Sequence, residues 1–77
     1  MPKFFFHIRQ GDELEVDDQG TEFPSKEHAV SDARAAAREM LAELLLAGEH
    51  VDGQRFEIAA EDGTVVETVT FRSVLNI

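Results

Sequence analysis

The sequence predicts a single α+β domain in which one amphipathic helix packs on one face of an antiparallel sheet of about four strands. Three observations support this class: an aromatic, strand-like N-terminus, a long central segment with helical periodicity, and two strand-like segments joined by Asp-Gly. The element order is then β-β-α-β-β. A chain of 77 residues suits one core, so residues 1–77 are expected to form one domain.

Residues 3–9 are predicted to form the first strand, because they are rich in aromatic and β-branched residues and lack the helical period. Alternation places Phe4, Phe6 and Ile8 on one face. The opposite face receives the other side chains of the strand: Phe5, His7 and Arg9. Both faces carry a phenylalanine, which indicates partial burial on each side.

Residues 10–24 are predicted to be an irregular hairpin return, because Asp and Gly residues mark two turns within it. A weak strand is expected near 14–16, and extended pairing can resume at 21–23. The segment is acidic, but its carboxylates lack the alternating spacing of a calcium loop. A solvated turn is the favoured interpretation.

A helix is predicted from Ser25, which suits the N-cap position, to about Ala47, with Gly48 beyond its C-terminus. Apolar residues recur at steps of three and four, which is typical of a helix that covers a sheet. The predicted stripe consists of Val30, Ala33, Ala37, Met40, Leu41, Leu44 and Leu45.

A second hairpin is predicted after the helix. Asp52-Gly53 is expected to be a tight turn, residues 54–60 and 64–71 are expected to be strands, and Asp62-Gly63 is a strong hairpin signal. A two-residue turn would pair Ile58 with Glu67, whereas a three-residue turn with a bulge would pair Ile58 with Val66. The second register buries more apolar surface and is slightly preferred.

The net charge of −9 arises from sixteen acidic and seven basic residues, which argues against direct binding of nucleic acid. The absence of cysteine removes disulfides and cysteine-based metal sites and fits a reducing cytoplasm. No apolar run is long enough for a signal sequence or a membrane span. We therefore expect a soluble, cytoplasmic protein that does not bind membranes.

Few residues indicate a catalytic, metal-binding or phosphate-binding site. The three histidines, His7, His28 and His50, lack the spacing of metal ligands, and no serine lies in a nucleophile elbow. There is no Gly-rich phosphate loop, and a small sheet with one helix offers little cleft volume. We expect no enzyme activity, no catalytic residue, no cofactor and no metal.

The sheet face away from the helix is the candidate interaction surface. It is expected to carry Phe5 together with part of the set Val65, Val69 and Phe71, unless the C-terminal tail, residues 72–77, docks over it. The candidate residues are Phe5, His7, Phe71 and Arg72. For the last two, the alternative is that Phe71 ends the last strand in the core and Arg72 pairs with a nearby acid.

The chain resembles the small bacterial domain family DUF6894. The resemblance is carried by the order and spacing of short segments along nearly the whole chain: MPKFFFHI at 1–8, DDQGTEFP at 17–24, the alanine-rich helix, DGQRFEI at 52–58, EDG at 61–63 and VTFR at 69–72. It implies a stand-alone bacterial protein and supplies no activity, cofactor or site residue.

Three functional hypotheses remain open. The first is a non-enzymatic protein-interaction or accessory module that binds a protein partner or itself as a homodimer, through the sheet edge or face. The second is an acidic inhibitor or nucleic-acid mimic that sequesters a basic protein, which predicts acids clustered on one surface. The third is a sensor of a small ligand or metal, which requires a pocket or convergent histidines.

Overall fold

The computed structural model describes residues 1–51 and 53–75. It shows an antiparallel five-stranded sheet with one long helix across one face, so the predicted α+β class is confirmed. The predicted turn at Asp52 and the docking of Ile77 lie outside the described residues. The elements are β1 Lys3–Gln10, β2 Glu13–Glu15, β3 Thr21–Glu22, α1 Lys26–Leu46, β4 Gln54–Ala59, β5 Val65–Thr70 and a 3-10 helix Phe71–Val74.

The sheet order is β2-β1-β4-β5, and β3 also pairs with β1. Both short strands follow the same edge of β1: Ile8 pairs with Glu15 in β2, and Phe4 pairs with Thr21 in β3. The predicted irregular hairpin return is therefore confirmed. It supplies two short strands because the residues between them leave the ladder.

The β4–β5 hairpin differs from the preferred register. Ala60 N–H donates to Thr64 O at 2.8 Å and Gly63 N–H donates to Ala60 O at 2.9 Å, which gives the predicted three-residue turn. The predicted pairing of Ile58 with Val66 is wrong, because Ile58 pairs with Glu67. The register shifts between Ile58 and Ala59, which makes Val66 an extra residue in β5. Val66 still packs against the core, so its burial does not require pairing with Ile58.

Helix α1 begins and ends as predicted. Ser25 is the N-cap, and its side chain accepts from the His28 N–H. The buried positions are Ala29, Ala33, Ala37 and Leu41. The predicted burial of Leu45 is wrong, since this residue is 58 % exposed. Steps of four residues advance about 40° around the helix each time, so Leu45 has turned away from the sheet, whereas Leu44 is half-buried.

The C-terminal segment docks on the helix side of the sheet. Phe71 and Val74 of the 3-10 helix belong to the core, and the Phe71 ring lies 5.0 Å from that of Phe56. Residues 71–75 therefore do not cover the opposite face.

Val69 and Phe71 are core residues, whereas Val65 pairs with Ala59, which lies opposite Phe5. The expectation that part of the set lies on the opposite face therefore holds through Val65, and the alternative in which Phe71 belongs to the core is confirmed.

Candidate functional site

The sheet face away from α1, here called the outer face, is the candidate site. Pairing of β1 with β4 sets Phe5 opposite Ala59, His7 opposite Glu57 and Arg9 opposite Arg55. Pairing of β4 with β5 then adds two threonines to the same face: Thr68 and Thr70. Since facing residues in an antiparallel ladder point to the same side, these side chains form adjacent rows.

Phe5 and His7, both candidates from the sequence, lie next to each other on the outer face. Their ring centroids are 6.4 Å apart with an interplanar angle of 19°, and both residues are half-buried. His7 Nδ1 accepts a 3.0 Å hydrogen bond from the Asp17 N–H, so the ring is held against the edge of the sheet. The pair is thus pre-ordered rather than free.

Asp17 organises the loop between β2 and β3. Its carboxylate accepts hydrogen bonds from the N–H groups of Phe6, Gln19 and Gly20 at 3.1, 3.1 and 3.2 Å. Burial alone would raise the pKa of Asp17, but these three hydrogen bonds and the nearby His7 lower it below its usual value. The carboxylate therefore acts as a fixed anionic anchor.

The loop packs against Phe5 at a glycine. A Cβ on Gly20 would lie 2.8 Å from Phe5 Cε2 and 2.8 Å from Lys3 Cγ, and its φ is +72°. Both conditions favour glycine. One side of the Phe5 ring is covered by this contact, which explains why Phe5 is only partly exposed.

The centre of the outer face is an ion cluster. Glu57 Oε2 accepts from Arg9 Nε at 2.6 Å and from Arg55 Nη2 at 3.2 Å. The hydrogen bond from Arg9 lowers the pKa of Glu57 despite burial, and the charge of Arg9 and the contact with Arg55 act in the same direction. Two guanidinium groups and one carboxylate leave one excess positive charge, on a chain whose net charge is −9.

The other two candidates from the sequence, Phe71 and Arg72, lie in different environments. Phe71 is 1 % exposed and is therefore unable to contact a partner. Arg72 is exposed on the 3-10 helix and lines a shallow depression of about 220 Å³ together with Arg55 and Thr70. The depression places Arg72 at the rim of the outer face.

Sequence reasoning missed two parts of this surface: the anchor at Asp17 and the ion cluster of Arg9, Arg55 and Glu57. The alternation in β1 did place Arg9 beside His7. Which residues of β4 lie beside Arg9 depends on the register between β1 and β4, and no local pattern specifies that register.

The histidines do not converge. His7 lies on the outer face. His28 Nδ1 forms a 2.8 Å hydrogen bond with Oγ of the N-cap Ser25, and His50 follows the helix C-terminus. Among residues 1–51 and 53–75, no group of three or more His, Asp and Glu side chains is arranged to hold a metal ion. No helix in the described part of the chain is long and apolar enough to cross a membrane.

A family model described as a domain of unknown function, DUF6894, matches residues 3–72. No curated protein and no solved structure matches the chain.

Proposed function

Because the chain belongs to the DUF6894 family, whose description assigns no activity, we propose from its own surface that it is a non-enzymatic interaction module. The domain binds an acidic partner protein through the outer face. The observation that carries this proposal is the ordered group of Phe5, His7, Arg9 and Arg55 on a sheet face that the helix and the 3-10 helix leave open.

The composition of the outer face supports a protein partner. Aromatic and arginine side chains are enriched in the centres of protein interfaces and among residues whose loss costs most binding energy. Here Arg9 and Arg55 are held by one carboxylate, with side chains 29 % and 41 % exposed. Pre-ordered side chains lose less conformational entropy on binding, so such a surface is suited to recognition.

Charge selects the kind of partner. The ion cluster has an excess positive charge, whereas the chain as a whole carries −9. Two copies meeting through their outer faces would bring like charges together, which opposes a homodimer by this face. A homodimer would instead use the free edge of β5, which pairs only with β4 in the described sheet.

The distribution of acids favours this module over a nucleic-acid mimic. Exposed acids occur on the irregular return of residues 10–24, along α1 and at the β4–β5 turn, with Asp12, Glu39 and Asp62 as examples. A mimic requires a continuous acidic surface, and three separate elements do not favour one.

The hydrogen bonds also support a role without catalysis. His7 Nδ1 is occupied by the Asp17 N–H, so this nitrogen is not available as a proton acceptor. Glu57 is paired with two arginines, and its lowered pKa makes it a poor general base at neutral pH.

Photo-crosslinking in the cells that make the protein tests the proposal. A photoreactive residue replaces Thr68, which is exposed on the outer face, and in a matched control it replaces Glu39, which is exposed on α1. We expect a discrete adduct from position 68 and not from position 39. Its yield should fall when Arg9→Gln and Arg55→Gln are added.

Three results would contradict the proposal: equal adducts at both positions, no adduct at position 68, or an adduct insensitive to both arginine changes. A crosslink between two copies of the chain would replace the heterologous partner by a homodimer. Sedimentation velocity of the purified protein gives the same distinction independently, because a homodimer through β5 doubles the mass without any partner.

A further inference from the structure

The outer face differs in chemistry from one end of its strands to the other. The strand register places Arg9 and Arg55 in one row across the sheet, between Leu14 in β2 and Thr70 in β5. Side chains that face each other in an antiparallel ladder lie on the same side of the sheet. This row, here called the cationic row, therefore presents two arginines and no acid.

The opposite end of the outer face is apolar. Phe5 pairs with Ala59, and Ala59 pairs with Val65, so these three residues form a second row, here called the apolar row. Val65 is 47 % exposed, and Phe5 is half-buried. Because Phe5 and Arg9 are four residues apart in β1, the two rows are separated by about 13 Å along the strands.

The residues beyond the apolar row do not attract acids. Lys3, the next residue on this side of β1, pairs with Glu22 in β3. The Glu61 carboxylate accepts a hydrogen bond from the Lys3 N–H at 3.3 Å. These three residues carry no excess positive charge, whereas the two arginines of the cationic row share the single carboxylate of Glu57. The excess positive charge of the outer face is therefore concentrated at one end.

A segment that covers a sheet face has to satisfy its own backbone hydrogen bonds, because buried N–H and C=O groups without partners are costly. The outer face lies over β1 and β4, and each of these strands pairs with a neighbour on both sides. An extended segment finds backbone partners only at a sheet edge, whereas an α-helix forms its hydrogen bonds internally. Helix α1 covers the other face in this way.

We propose, as a step that rests on the proposed function, that the partner segment on the outer face is an amphipathic α-helix with apolar residues at one end and carboxylates at the other. The apolar residues pack on Phe5 and Val65, whereas the carboxylates pair with the two arginines of the cationic row. A helix rises about 1.5 Å per residue, so rows about 13 Å apart match groups about seven to eleven residues apart on one stripe.

Two stapled helical peptides of identical composition test this polarity. In the first peptide, leucines occupy one end of a stripe and glutamates occupy the other end, whereas in the second peptide the two residue types alternate along the stripe. Binding is followed by amide NMR shifts of the intact protein. We expect the first peptide to bind about tenfold more tightly than the second. Equal affinities would overturn the polarity and leave the acidic partner of the proposed function standing.

A nitroxide label at either end of the first peptide reports its direction on the sheet. The label at the glutamate end should broaden the amide signals of Arg9 and Arg55 most strongly. The label at the leucine end should act most strongly on Phe5 and Val65. Equal broadening of both rows by both labels would contradict a fixed orientation.

Two variants and one control test the contacts of each row. Val65→Thr replaces a methyl group by a hydroxyl group at similar volume, and we expect it to weaken binding of the first peptide about threefold or more. Leu46→Thr, at an exposed residue at the end of α1, should leave binding unchanged. Arg9→Gln should weaken binding and reduce its dependence on salt. Unchanged affinity in Val65→Thr or in Arg9→Gln would contradict the contact assigned to that row.

An unstapled version of the first peptide with two central prolines tests the helical form, because proline breaks the helix without changing the charge. We expect this peptide to bind more weakly than the stapled helix. Equal or tighter binding would overturn the helical partner and favour an extended segment. Absence of binding by every peptide would also overturn this assignment, whereas the proposed function is decided separately by the adduct at position 68.

Discussion

His7 and Asp17 are joined at the point where the edge of the sheet is interrupted. The Asp17 N–H donates to His7 Nδ1 at 3.0 Å, and the Phe6 N–H donates to Asp17 Oδ2 at 3.1 Å. In both cases a side chain takes the place of a backbone partner that β2 or β3 would otherwise supply. The two short strands therefore stay on one edge of β1 although the ladder between them is broken.

The length of the side chain at position 7 should decide whether this link survives. The Oδ1 atom of His7→Asn can occupy nearly the position of Nδ1, whereas the amide of His7→Gln extends further. Both variants lose the ring contact with Phe5, so their difference isolates the hydrogen bond. We expect His7→Gln to be less stable than His7→Asn by about 1 kcal/mol in urea unfolding. Equal stabilities would show that the hydrogen bond contributes little.

Gly20 is expected to be the least replaceable of the turn glycines that face β1. Gly20→Ala combines a left-handed φ of +72° with contacts of 2.8 Å to Phe5 and Lys3 side-chain atoms. Gly11→Ala is the matched control, because its φ is +60° but nothing lies within 4 Å of its Cβ position. Both variants bear strain of about 1–2 kcal/mol, and Gly20→Ala should lose about 1–3 kcal/mol more through overpacking.

Thermal and urea unfolding of the two glycine variants give the comparison. Equal losses of unfolding free energy in Gly20→Ala and Gly11→Ala would mean that the side chains of Lys3 and Phe5 move aside without cost. In that case the loop would not restrain the Phe5 ring.

The two leucines Leu41 and Leu45 differ in burial although both continue the four-residue spacing. Leu41 is 2 % exposed and Leu45 is 58 % exposed. We expect Leu41→Ala to cost about 2–5 kcal/mol of unfolding free energy, because it leaves a cavity between helix and sheet. Leu45→Ala should change stability by about 0.5 kcal/mol or less. A large loss in Leu45→Ala would indicate a partner or a second copy on this turn.

The same leucines show how far the sequence predicts this fold. Ser25 and Gly48 bound the helix through local chemistry, so both ends are readable from the sequence. The choice between Leu44 and Leu45 depends on where the sheet lies beneath the helix, and that position is set by tertiary packing. The local pattern of apolar residues therefore predicts the helix correctly, but it does not predict which leucine of the last turn is buried.

The candidate site shows the same limit. The period of two in β1 places Phe5 and His7 on one face without knowledge of any partner strand. The ion cluster requires Glu57 to lie between Arg9 and Arg55, which depends on the β1–β4 register. The position of Phe71 at the end of β5 allowed either exposure or burial, and the docking of the 3-10 helix against α1 decides for burial.

Acid should destabilise the fold through Asp17 and Glu57. The pKa of each is lower in the folded protein than its usual value, so the unfolded chain binds more protons in mild acid. Their stabilising contribution is complete above the unfolded pKa values of about 4, and it is lost as the pH falls through the lower folded values. Urea unfolding between pH 7 and pH 3 should show this decline.

Asp17→Asn is the variant that isolates one of these groups. At pH 7 it should lower the free energy of unfolding by about 1–3 kcal/mol, because the carboxylate accepts three backbone N–H groups. The difference from the wild type should shrink toward pH 3, where protonation removes the same charge. Asp18→Asn, which removes a charge at the adjacent exposed residue, controls for the reduced net charge. A pH-independent loss in Asp17→Asn would mean that the loop needs the shape of this side chain and not its charge.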